Sequence, residues 1–239
     1  MIDLKLPKPT KLEGIIVTID GPAGSGKTST AREVAGALDY RHLDSGALYR
    51  AATFSLLRES INVKEWEHLT VSDLDLLNLQ ILPMADKIIM SWDQKNISSE
   101  IRSAEVTEKV SYVASLPQVR KWLLETQQNL GLNGRLVADG RDMGEVVFPE
   151  AEVKIFLTAS LEVRARRRLL EYLDPESHDE ILDDEMKRIN KRDLADQNRQ
   201  HSPLVQAQDA IQVDTTELTF HQQIKTLLGI IKDLTGIGS

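Results

Sequence analysis

The eight residues Gly21-Pro22-Ala23-Gly24-Ser25-Gly26-Lys27-Thr28 constrain this chain more than any other stretch. Their spacing, Gly-x-x-x-x-Gly-Lys-Thr, is that of a phosphate-binding loop, which works only between a strand and a helix. Both flanks comply. Residues 14–20 are a β-branched apolar run ended by Gly21-Pro22, the pattern of a buried strand. Residues 27–38 follow as an Ala-rich helix with apolar positions at Ala31, Val34, Ala35 and Leu38. Gly21, Gly24 and Gly26 let the backbone curl until successive N–H groups point inward. The helix behind them turns its positive dipole end to the same point. Residues 21–29, Ser29 included, are therefore expected to hold ATP, with Lys27 on the β- and γ-phosphates and the Thr28 hydroxyl on Mg²⁺.

The rest of the chain repeats the alternation. Short apolar runs at 40–43, 135–139, 153–157 and 210–214 read as further strands, and 46–60 and 219–234 as helices. Continuous apolar strands alternating with helices predict an α/β architecture: a five-stranded parallel sheet with helices on both faces, the P-loop NTPase fold. The middle departs from this rhythm. Residues 80–84, 88–92 and 96–98 suggest a small β-rich insertion with a turn at Asp86-Lys87, although the glycine-containing hairpin expected there is missing. Helix follows from 103 to about 129, interrupted by Pro117 and restarted with Ser115 as its cap. One domain is expected over 1–239: a core of 14–77, 130–160 and 205–235, an insertion at 78–129 and a helical lid at 161–200.

Composition excludes several classes. With 41% hydrophobic and 28% charged residues and a net charge of −8, the chain is not a general nucleic-acid binder. No apolar run approaches the roughly 18 to 20 residues of a membrane span. The N-terminal residues lack the apolar centre of a signal peptide. Zero cysteines exclude a disulfide framework and a thiolate metal site. A cytoplasmic protein with no membrane partner is expected. No Asn-Lys-x-Asp motif follows a strand, and no apolar strand ends in Asp-Glu. Guanine reading and water-activating ATPase chemistry are disfavoured, which leaves a kinase of a small acceptor.

Positive charge is concentrated locally instead. Arg188, Arg192, Asp196 and Arg199 fall within about 80° of one helix face, and Arg164, Arg167 and Arg168 share a face of the helix before it. Residues 172–179 between the helices have the polar character of a flap. Against this stands a solvated basic face laced by Asp183, Asp184, Glu185 and Asp193, the usual fate of a charge run. Phosphoryl transfer asks a protein mainly for positioning and charge neutralisation, and such arginines suit it.

Five segments resemble the bacterial cytidylate kinase family: 19–27, Leu43-Asp44-Ser45-Gly46-Ala47-Leu48-Tyr49-Arg50, Ser99-Glu100-Ile101-Arg102, Asp139-Gly140-Arg141-Asp142-Met143-Gly144, and Arg192-Asp193 through Pro203-Leu204. The resemblance implies phosphoryl transfer from ATP to CMP and dCMP by a monomer, and assigns acceptor contacts. Ser45 would touch the nucleoside and Arg50 its phosphate. Ser111 and Arg120 would meet the cytosine ring, Arg141 a phosphate, and Asp142 the cytosine amino group. Arg192 and Asp196 would lie near the ribose, with Arg199 another nucleotide contact. Lys27, Arg141, Arg167 and Arg168 would act on the transferred group, and Arg164 on ATP. The physics agrees for Asp142, since a carboxylate accepts from the amino group of cytosine but opposes the carbonyl of uracil. A kinase for UMP, AMP or a shikimate-like alcohol, or a nucleotide sensor without catalysis, remain the alternatives.

Overall fold

Val17, Ile19, Val137, Ile155 and Leu157 are completely or almost completely sealed from solvent, although they sit on strands only four to six residues long. Such burial requires helices packed over the sheet face that carries them. The computed structural model describes residues 14–59, 61–84, 87–171 and 178–237. In chain order its elements are β1 (Ile16–Asp20), α1 (Lys27–Leu38), β2 (Arg41–Asp44), α2 (Ser45–Arg58), α3 (Val71–Asp75), β3 (Leu79–Pro83), β4 (Ile88–Trp92), β5 (Lys95–Asn96), α4 (Ala104–Val113), α5 (Pro117–Gly131), β6 (Leu136–Asp139), β7 (Val153–Thr158), α6 (Leu161–Leu169), α7 (His178–Gln197), β8 (Ile211–Asp214) and α8 (Phe220–Thr235).

The main sheet is parallel throughout, in the order β2-β6-β1-β7-β8. Alternation sends Val17, Ile19, Val137, Ile155 and Leu157 to one face, where Val34 of α1 and Leu227 and Ile231 of α8 cover them. Leu43, Leu136 and Ala138 face the other side, against Leu48 and Ala52 of α2 and Leu123 of α5. Each fully buried aliphatic side chain contributes about 1.5–3 kcal/mol. The carboxyl ends of the five strands are all polar: Asp20, Asp44, Asp139, Thr158 and Asp214. β1 lies where the chain crosses from one half of the sheet to the other, the crevice at which open α/β sheets bind ligands.

The small sheet, β3-β4-β5, is antiparallel. Its second turn is Asp93-Gln94, both with positive φ (48° and 64°), as a two-residue hairpin loop demands. These residues do the work expected of a glycine. β5 spans only Lys95–Asn96, not 96–98, because the Asn96 side chain accepts from the Ser98 N–H and ends the pairing. Of the expected Asp86-Lys87 turn, Asp86 lies outside the described residues. Ser115 does not cap α5. Its hydroxyl bonds back to the Tyr112 carbonyl, while Leu116 is the N-cap and Pro117 opens the helix. Among the described residues no helix is long and apolar enough to cross a membrane.

Candidate active site

The first turn of α1 has no side-chain cap; its N-cap is Gly26, at φ 84°. Four backbone donors at a helix start need acceptors, and here they point from a loop that offers none. Gly21 must be glycine, since a Cβ would lie 2.1 Å from the Leu157 carbonyl oxygen. Lys27 is 5% exposed and donates to the Pro22 carbonyl at 2.6 Å and to Ser25 Oγ at 3.3 Å. Burial, and then Arg141 and Arg192, hold its ammonium well below the usual lysine range. An incoming polyanion removes that penalty. Ser29 is exposed on the next turn.

Thr28 Oγ1 donates to Asp139 Oδ2 at 2.7 Å, and the other Asp139 oxygen is 2.7 Å from His42 Nε2. Asp139 ends β6 beside Asp44 of β2, whose carboxyl is raised by burial first and by Asp139 second. No role for Asp139 or His42 follows from the sequence alone. The signal of Asp139 was present all the same: an acid ending an apolar strand, whose partner was hidden until the sheet order was known.

Around this loop the arginines divide. Arg141 donates to Asp196 at 2.8 Å, and Arg199 Nη2 lies 3.2 Å from the same carboxylate. Burial pushes Asp196 up, but Arg141, Arg199 and Arg192 outweigh it and hold the carboxyl below its usual range. Arg192 drops to about 10 through burial, then through Arg141, with Arg50 and Arg168 adding to the repulsion. The Arg192 Nε group is buried and has no hydrogen-bond partner among the described residues. Orphaned buried donors on cations are costly unless a ligand takes them. Lys27, Arg141, Arg192, Arg50 and Arg168 thus form one electrostatic cluster.

Arg164 and Arg167 are bonded to the protein itself. Arg164 donates to the carbonyls of Ala159 and Ala23 and to Asp193, whose second oxygen takes the Ala23 N–H at 2.8 Å. Arg167 binds the hydroxyl and carbonyl of Thr215, after β8. Asp193 and Glu185, which the alternative of a solvated basic face would leave in solvent, are buried. The string Asn190-Lys191-Arg192-Asp193 lies inside α7, with its acid turned to Ala23, and has no strand before it. Arg188 is outside the cluster, its side chain 78% exposed beside Glu185. Arg199 lies beyond the end of α7, so the expected helical face stops at Asp196. Residues 172–177 of the expected flap lie outside the described residues; 178 and 179 begin α7.

A second group of residues centres on Asp142. This residue is 3% exposed and ion-paired with Arg120, whose guanidinium lies 5.4 Å above the Tyr49 ring. Burial pushes the Tyr49 hydroxyl up to about 12. Tyr49, Arg120, Gln127, Asp142, Val147 and His201 line a cavity of about 130 Å³. Ser45 is buried at the start of α2, and Arg50 reaches Thr107 Oγ1 at 2.9 Å and the Ile101 carbonyl. Ser111 is exposed on α4 and does not line the cavity.

Asp142 is aimed by an element that periodicity did not reveal. Residues Met143–Val147 form a single π-turn, with Phe148 N–H on the Met143 carbonyl, a feature concentrated at functional sites. Asp20, at the end of β1, takes the N–H groups of Met143 and Gly144 at 2.9 and 2.8 Å. One buried carboxylate therefore joins the residue before the phosphate loop to the residue after Asp142. Burial, resisted by those two N–H groups, raises Asp20 to about 6. A carboxyl with a raised folded pKa binds protons more tightly in the folded state, so stability falls as pH rises from about 4 to 6. The loss from Asp20 is up to about 3 kcal/mol, complete above that window. Melting curves of wild type and Asp20→Asn across pH 4 to 7 should therefore differ in slope. Parallel curves would show that Asp20 does not titrate there.

A family model described as cytidylate kinase matches residues 17–233. A cytidylate kinase of Carboxydothermus hydrogenoformans is 42% identical over 215 residues, covering 90% of this chain and 96% of the relative. One from Desulforamulus reducens is 40% identical over 212 residues, 89% of this chain and 94% of the relative. One from Flavobacterium psychrophilum is 39% identical over 227 residues, 93% of this chain and all of the relative. The phosphate loop, the arginine cluster and the Asp142–Arg120 pair thus sit on a chain matched almost from end to end, and the chain belongs to the cytidylate kinase family.

Proposed function

We propose that this chain transfers the γ-phosphoryl group of ATP to CMP and dCMP, acting as a monomer in the cytoplasm. The observation that carries the reading is the convergence of Lys27, Arg141 and Arg192 at the phosphate loop, with the buried Arg192 Nε donor unpartnered among the described residues, beside a small cavity holding a buried carboxylate. Triphosphate on the loop amides and Lys27 would face the acceptor phosphate across Arg141 and Arg192. An oxygen of that phosphate attacks the γ-phosphorus, and the bond from the γ-phosphorus to the bridging oxygen breaks, leaving ADP. No general base is needed, because the acceptor phosphate is already ionised near neutral pH. The arginines neutralise charge on the equatorial oxygens.

Oxygen donors suit Mg²⁺, and the Thr28 hydroxyl beside the Asp139 carboxylate fits that ion. Thr28 would hold it, with the substrate phosphates and water, and Asp139 would orient Thr28. Bound there, the ion supplies charge neutralisation on the phosphates.

Turnover with ATP and Mg²⁺ on CMP, dCMP, UMP, AMP and shikimate tests the assignment. CMP and dCMP should be fastest; faster turnover of AMP or shikimate would overturn it, and absence of ADP with every acceptor would favour a sensor. Asp142→Asn keeps the volume but weakens the Arg120 pair and loses the carboxylate. Its kcat/KM for CMP should fall about 10–100-fold, with the KM for ATP nearly unchanged.

A further inference from the structure

Gln127 was no candidate from sequence, and it stands apart in the acceptor cavity. It lines the cavity from α5 and is 1% exposed. Its amide nitrogen donates to the Leu123 carbonyl at 3.0 Å, which identifies the nitrogen end of the amide. The amide oxygen is buried and has no partner among the described residues. A glutamine oxygen left this way is costly unless a ligand donor meets it. It is therefore a position awaiting an N–H group.

The same wall offers two other groups. The Asp142 carboxylate receives Arg120 on Oδ2, and a carboxylate has further lone pairs to give. Arg120 Nε is buried without a partner among the described residues. Gln127, Asp142 and Arg120 thus line a cavity of about 130 Å³, room for roughly four waters or one small ring. The edge of cytosine presents an amino group with two hydrogens next to ring and carbonyl acceptors. Uracil would set a carbonyl oxygen against the same two acceptors.

We infer that the Gln127 amide oxygen accepts one hydrogen of the 4-amino group of the acceptor base while Asp142 accepts the other, making Gln127 a specificity-determining residue. The inference rests on the acceptor proposed above and adds a residue to it. Both amino hydrogens are then satisfied without solvent, and an acceptor lacking the amino group leaves two buried oxygens unpaired.

The test pairs a protein change with a ligand change. Gln127→Met preserves the unbranched stem and removes the acceptor. Its kcat/KM for CMP should fall about tenfold relative to wild type, while its kcat/KM for the pyrimidin-2-one ribonucleotide, which is CMP without the 4-amino group, should match that of wild type. Its KM for ATP should stay unchanged. Equal loss on both acceptors, or no loss on CMP, would overturn the contact, since a purely packing role does not distinguish the two ligands. Should Gln127→Met not fold, the Gln127 side-chain amide of wild type, assigned from its own backbone resonances, must shift on adding CMP and not on adding the deamino nucleotide; equal behaviour with both overturns the contact. A wild-type enzyme inert toward CMP but active on another acceptor is a separate result, which overturns the acceptor assignment itself.

Discussion

Lys27→Ala is expected to lower kcat with ATP and CMP by about 10²–10³-fold and to leave the melting temperature almost unchanged. The two effects separate because of where the ammonium lies. In the free protein its partners are the Pro22 carbonyl and Ser25 Oγ, and burial together with Arg141 already disfavours its charged form. Removing it gives up two hydrogen bonds and relieves a buried, repelled charge, which nearly cancel in stability. In the transition state no such cancellation occurs, because the ammonium then meets developing negative charge on the phosphates. Single-turnover phosphoryl transfer and thermal melting, measured on one preparation, check both halves. A large fall in melting temperature would mean that the lysine supports the loop, and a kcat near wild type would remove it from the chemistry.

The largest stability loss is expected from Asp193→Ala. Asp193 joins three parts of the molecule: the Ala23 N–H of the phosphate loop, the Arg164 guanidinium on α6, and its own helix α7. Around it Ala23, Ala165 and Ile189 form a small apolar cluster. Alanine leaves Arg164 buried with no counter-charge, a change that costs about 3–5 kcal/mol, or on the order of 10 °C in melting temperature. The KM for ATP should rise with it, since Ala23 loses its anchor. Asp193→Asn keeps an acceptor for Ala23 and should fall between the two. Calorimetry with ATP titration measures both, and an unchanged melting temperature in Asp193→Ala would show that the clamp carries no load.

Both predictions concern charges, and charges are where sequence and structure diverge most. The strands and helices were legible because their periodicities are local: β4 spans 88–92 as the apolar run suggested, and α1 spans 27–38. Helical spacing also brought Arg192 and Asp196 to one face correctly. It could not say what packs there. The 100° rule grouped Arg188 and Arg199 with them, but Arg188 is in solvent, and Arg199 reaches Asp196 from beyond the helix end. Arg164, Arg167 and Arg168 looked equivalent on one helix face. In the fold Arg164 serves Ala23 and Asp193, Arg167 serves Thr215, and Arg168 alone joins the charge field around Arg192.

By itself the sequence determined the donor loop and the sheet around it. Gly21 to Thr28 make a phosphate cradle through φ angles, consecutive N–H groups and a helix end, all set within a dozen residues. The pocket around Asp142 was decided only by tertiary structure. Asp142 faces Arg120 from 22 positions away, Asp20 holds the turn behind Asp142 from 123 and 124 positions away, and Asp193 grips Ala23 from 170. A buried charge or amide takes its meaning from its partner. Partners at such separations are chosen by the order of strands in the sheet, which no local periodicity contains.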